Sequence, residues 1–162
     1  MKPVDFKTLY GRLGNWPCLL GYYDAEALWN LVSTLKPDDS VVEFAPGHGR
    51  AAMLLGTAAR NVGSKLYLLD NWQQRDPMLD FWLNRGVKTF GLGHVIVRVA
   101  DPANIPQPVA LMVTAEISIP DLAARQVYFI VSRPTEVIIA DAPYRRVREI
   151  ERGGSLWQST IA

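Results

Sequence analysis

Cysteine is almost missing from this 162-residue chain, where Cys18 stands alone. One thiol cannot form an internal disulfide, and two histidines leave no cysteine–histidine cluster at zinc-ligand spacing. An excess of charge is missing too: 17 Lys and Arg against 16 Asp and Glu give a formal net charge of +1. That excludes the global field that marks binders of nucleic acid or membrane surfaces. No uncharged apolar run approaches the roughly 18 residues a membrane helix needs. The start, "MKPVDFKTLYGRLG", lacks the apolar core of a signal peptide. Internal repeats, low-complexity segments and linkers do not occur. The expectation is a cytoplasmic protein with no membrane or nucleic-acid partner.

What is present describes one globular domain spanning residues 1–162. Hydrophobic residues make up 49% of the chain and charged residues 20%, enough apolar surface for a single core. The first 23 residues, with Trp16, Tyr22 and Tyr23, read as an irregular lead-in or short helix. Asp24 then suits a helix N-cap, and Ala27, Leu28, Leu31, Val32 and Leu35 follow at helical spacing. After it, strands and helices alternate: strand 40–45, helix 50–61, strand "SKLYLLD", and helix "PMLDFWLNRGV" with Pro77 in its first turn. "HVIVRVAD" and "PVALMVTAE" read as third and fourth strands, "IPDLAARQVYFIVSR" as a helix, and "EVIIAD" as a fifth strand. A charged helix, "YRRVREIER", leads to a last strand, "SLWQSTIA". This alternation predicts an α/β fold with an open, doubly wound, mostly parallel sheet.

Ligands of such sheets bind beyond the carboxyl ends of the strands, near the switch in strand order. An acid lies at or near each of the five predicted ends: Glu43, Asp70, Asp101, Glu116 and Asp141. Asp at such a junction often only caps a helix. Glu43 differs, because an unpaired carboxylate inside a central strand needs donors or a cation. Beside it, Gly47 and Gly49 can take backbone conformations closed to other residues and leave no side chain between loop and ligand. The helix that follows presents unpaired N–H groups. Asp70 comes 21 residues past Gly49, the usual place for a carboxylate that accepts both ribose hydroxyls. "GHGRAA" also satisfies the dinucleotide pattern, which keeps a nicotinamide or flavin oxidoreductase as an alternative. An acid in the first strand and the short chain disfavour it.

"VVEFAPGHG", "LYLLDNW" and "VRVADPAN" together resemble the class I S-adenosylmethionine-dependent methyltransferases, over roughly residues 24–142. Ala45 stands where that family has its first glycine. The resemblance implies a Rossmann-like methyltransferase fold with S-adenosyl-L-methionine as cofactor and in-line methyl transfer to a small molecule. It implies that Glu43 holds the methionine ammonium, and that Ala45, Gly47 and Gly49 line the methionyl and ribose portion. Asp70 would take the ribose hydroxyls, Asn71 or Trp72 would lie against the adenine, and Asp101 would accept from the adenine amino group.

A methyl on a sulfonium is already activated, so the protein supplies mainly alignment. A general base is needed only for an oxygen, nitrogen or sulfur acceptor that must lose a proton. His48, Glu116 and Asp141 are the candidates. Too few ligands gather near Glu116 and Asp141 for a metal, and none is expected. "DAPY", residues 141–144, resembles the turn of amino-methylating enzymes, yet suits a strand-to-helix junction with Pro143 in the first turn. Residues 1–23 could cover the substrate, or a homodimer could complete the pocket. A regulatory protein that binds the cofactor without catalysis is the second reading.

Overall fold

The computed structural model describes residues 3–17, 20–106, 109–113, 128–131, 144–149 and 155–159. Four helices and a parallel sheet of four strands form its main body. Helix α1 spans Phe6–Arg12 and α2 spans Tyr22–Ser33; β1 is Ser40–Phe44, α3 Arg50–Val62 and β2 Lys65–Leu69. Helix α4 covers Pro77–Phe90, β3 Ile96–Val99 and β4 Val109–Val113. The strand order is β3-β2-β1-β4, all parallel. After moving outward from β1 to β3, the chain returns to the other side of β1, so the switch in strand order falls between β1 and β4.

Local chemistry sets these boundaries. Asp76 caps α4 by accepting from the Met78 amide at 2.7 Å, and Pro77 occupies the first turn. Gly63 and Gly91 end α3 and α4 in the left-handed conformation, the usual glycine stop. Helix α2 begins three residues earlier than expected. Gly21 stands at its N-cap and Asp24 lies in its first turn, because Tyr22 is drawn in to pack edge-on against Phe6 and Tyr10.

Alternation within the strands divides the core in two. Val41, Leu66, Leu68, Leu111 and Val113 face the helices and join Leu28, Met53, Leu54, Leu55 and Leu83. Val42, Leu69, Val99 and Met112 point to the other face, where Ile105 joins them. Glu43 is two residues from Val41 and therefore belongs to the helix-facing row.

The C-terminal part departs from the sequence reading. Tyr128–Val131 is a strand, β5, inside the stretch expected to be helical from Ile119. Tyr144–Glu149 is β6, not the expected charged helix, and Pro143 lies outside the described residues. Ser155–Ser159 is β7, the expected last strand. The three form an antiparallel sheet in the order β5-β7-β6. The misread segments share a cause: "YFIV" and "YRRVRE" carry aromatic and β-branched residues that suit a strand as well as one side of a helix. The expected fifth strand "EVIIAD", with Asp141, lies outside the described residues, as does Glu116. Among the described residues, no helix is long and apolar enough to cross a membrane.

Candidate functional site

The site begins with an acid buried among aliphatic neighbours. Glu43 is only 4% exposed. Its partners across the sheet are Leu68 of β2 and Val113 of β4. Its Oε2 atom finds no hydrogen-bond donor. Burial pushes its carboxyl up to about 8 from an ordinary 4.5, and the Arg75 guanidinium opposes that rise. A carboxyl kept this way in a strand awaits a cationic or donating partner.

The turn after β1 is built from backbone that side chains disfavour. Ala45, Gly47 and Gly49 all have positive φ, at 50°, 48° and 83°. The Ala45 amide donates to the Leu69 carbonyl at 3.0 Å, which ties the turn to the end of β2. The Gly49 amide donates back to Pro46 at 2.8 Å and closes the loop onto α3. At Gly47 an added Cβ would meet nothing within 4 Å, so that glycine borders open space. The alanine at 45 thus sits in a conformation that costs an L-residue about 1–2 kcal/mol. Ala45→Gly is expected to leave thermal stability equal or raise it by a degree or two, since the relief of backbone strain slightly exceeds glycine's entropy cost. A clear drop in Tm would show that the Ala45 methyl carries packing that outweighs the strain.

Asp70, at the end of β2, meets the turn through a residue that sequence reasoning missed. Its Oδ1 accepts from the Asn71 amide at 2.8 Å, and its Oδ2 is paired with Nη1 of Arg75. Nη2 of the same arginine donates to the Gly47 carbonyl. Nε lies 3.7 Å from Oδ1 of Asp80 and has no hydrogen-bond partner. The Arg75 side chain is 3% exposed, and its guanidinium stands 5.2 Å from the centre of the Trp72 ring. An arginine five residues past the acid that ends β2 carries no recognised sequence signal, and only the fold reveals it.

Trp72 is close by, but its indole N–H donates to the Val99 carbonyl at 2.9 Å, and the Arg98 guanidinium lies 4.7 Å from its ring centre. Asn71 is exposed beside it. Asp101 is exposed at the end of β3 and caps the short turn Pro102–Asn104, accepting from the Ala103 amide at 2.9 Å. His48 is half-buried in the glycine turn, and its carbonyl accepts from the indole of Trp16 at 3.1 Å. Glu43, Gly47, Gly49 and Asp70 are therefore brought to one edge, with Arg75 joining Gly47 to Asp70. Glu116 and Asp141 lie outside the described residues.

No protein-family model and no curated protein matches the sequence. Solved structures do match. An S-adenosylmethionine-dependent methyltransferase from Aquifex aeolicus superposes with a TM-score of 0.59 at 15% identity, over 96% of this chain and 98% of that one. The fold is that of the class I methyltransferases. Geranyl diphosphate C-methyltransferase from Streptomyces coelicolor shares it at a TM-score of 0.51 and 15% identity, over 78% of this chain and 49% of its own. TrmK from M. capricolum, solved with S-adenosylhomocysteine, matches at 0.50 and 10%, over 87% of this chain and 67% of its own. This chain thus spans about half the length of the Streptomyces enzyme. At these identities the methyltransferase fold is what is shared, and its carboxyl edge is where Glu43, the glycine turn and Asp70 lie.

Proposed function

We propose that the protein is a methyltransferase that uses S-adenosyl-L-methionine to methylate a small molecule at oxygen, nitrogen or sulfur. The observation that carries this is Glu43: a carboxyl buried on a methyltransferase fold, unpaired at Oε2, beside a glycine turn. The residues fit the cofactor. Glu43 would receive its ammonium, and Gly47, with nothing within 4 Å of where a Cβ would be, leaves room for it against the backbone. Asp70 would accept the ribose hydroxyls, Trp72 and Asn71 would border the adenine, and Asp101 would serve its amino group. When bound, the cofactor supplies an electrophilic methyl on sulfur.

The chain's own task is then alignment and exclusion of water. The N-terminal segment supports that role, because Trp16 bonds the His48 carbonyl and packs edge-on against Trp82. Residues 3–17 would therefore brace the glycine turn and help cover an acceptor there. His48 is the described candidate for removing an acceptor proton. A partner subunit contributing to the pocket is part of the same proposal.

Calorimetry with S-adenosylmethionine, S-adenosylhomocysteine and NAD tests the reading. Both sulfur ligands are expected to bind and NAD is not. Asp70→Ala is expected to weaken S-adenosylmethionine at least tenfold, which is about what one lost charge-assisted hydrogen bond is worth. If neither sulfur ligand binds at millimolar concentration, the proposal fails. Binding with no transfer to a broad acceptor panel would favour the regulatory reading.

A further inference from the structure

Arg75 has no place in the methyl-transfer reading, yet it is the most committed cation of the site. It comes from the short segment between β2 and α4, where Gln73, Gln74 and Asp76 are exposed, and nevertheless its side chain is buried. Its guanidinium joins the two strand ends by pairing with Asp70 on one side and donating to the Gly47 carbonyl on the other. Those are the carboxylate and the turn that a bound nucleoside would need. Its positive charge also opposes the rise in the Glu43 carboxyl, where the proposed ligand would bring an ammonium.

We propose that Arg75 is a built-in competitor of the cofactor, a guanidinium plug that must leave Asp70 and Gly47 before a cationic nucleoside can bind. The inference rests on the methyltransferase reading above. Geometry gives the plug both a reason to hold and a way out. Two of its nitrogens are bonded inside the site, while Nε is buried without a hydrogen-bond partner, so the docked state is incompletely satisfied. Asp80, in the first turn of α4 and more than a third exposed, already lies 3.7 Å from Nε. Its Oδ1 also accepts from Arg98 at 3.1 Å and its Oδ2 from Asn84, so it is an outer carboxylate that Arg75 would share. A swing of the side chain toward Asp80 and solvent exchanges one partner for another. It frees both oxygens of the site for a neutral diol.

A docked arm populated about nine times in ten lowers apparent affinity about tenfold, because only the open fraction is competent. Calorimetric titration with S-adenosylmethionine of the wild-type chain, Arg75→Gln and Arg75→Lys tests this. Arg75→Gln is expected to bind about tenfold more tightly. Arg75→Lys, which keeps the charge but cannot span both partners, should fall between the two. Thermal unfolding without ligand reports that each variant is folded, and added ligand should raise Tm more for Arg75→Gln than for the wild type. If the wild type binds and Arg75→Gln binds equally or more weakly, the plug is overturned while the methyltransferase reading stands. If no form binds S-adenosylmethionine, the reading fails and the plug with it. Should Arg75→Gln not fold, the lysine variant decides, and affinity no better than wild type overturns the proposal.

Discussion

Glu43→Gln is expected to outlast the wild-type chain in urea above about pH 8 and to match it near pH 4.5. In the unfolded chain Glu43 titrates near its ordinary 4.5, whereas in the folded protein burial between Leu68 and Val113 holds it near 8. Below the lower value the carboxyl is neutral in both states and the fold bears no penalty. As pH rises from 4.5 to 8 the unfolded chain sheds this proton first, and folding stability falls. Above 8 the folded chain carries a desolvated carboxylate, a loss on the order of 5 kcal/mol at roughly 1.4 kcal/mol per pH unit. Glutamine has the same shape and never ionises, so the variant escapes that loss. Urea midpoints measured at both ends of the window check it. Parallel midpoints for the two proteins would show that Glu43 ionises freely in the fold.

The same acid links stability to binding. A ligand ammonium opposite Glu43 favours the carboxylate, so association at about pH 7 is expected to release close to one proton. Calorimetry in two buffers of different ionisation enthalpy measures that number directly. No proton release in the wild type, with binding intact, would mean that the ammonium lies elsewhere.

The second large effect is expected at Gly49. A Cβ there would stand 2.7 Å from Cδ1 of Leu83 and 3.3 Å from its Cα. Leu83 is fully buried and part of α4, so its side chain has nowhere to retreat and its backbone cannot. The φ of 83° adds the left-handed cost of about 1–2 kcal/mol, and overpacking adds about 1–3 kcal/mol. Gly49→Ala is therefore expected to lose about 3 kcal/mol, or about 10 °C in Tm for a chain of this size. Gly47→Ala is the internal comparison. Its φ is also positive, but nothing lies within 4 Å, so only the backbone cost of about 1 kcal/mol applies. Equal losses in the two variants would mean that contact between the turn and α4 does not limit the position.

Much of the fold was legible because local signals agreed with one another. "SVVEF", "KLYLL", "IVRV" and "VALMV" are short apolar runs between helices with clear caps, and all four became parallel strands in the expected part of the chain. The helix after the glycine turn ends at Gly63, and α4 begins at Pro77, as their residues suggest. Beyond β4 the signals conflict. The run ending in "YFIV" opens with helix formers, and "YRRVRE" alternates closely enough to serve either structure. Pairing with β7, distant in sequence from β5, decided for strands.

The candidate site divides in the same way. By itself the sequence determined that an acid stands inside β1, that two glycines follow it, and that a second acid ends β2. Each of these is a property of a few neighbouring residues. Only the tertiary structure decided how deeply Glu43 is buried, because its exposure depends on Leu68 and Val113, strands away in the chain. It likewise decided that Gly49 is a packing glycine, through contact with Leu83 of α4. Arg75 is the extreme case: an arginine among glutamines in a polar loop, buried only because β1 and β2 end side by side and present a carbonyl and a carboxylate to one guanidinium. Charge and burial are sums over neighbours in space, and neighbours in space are what a single sequence does not list.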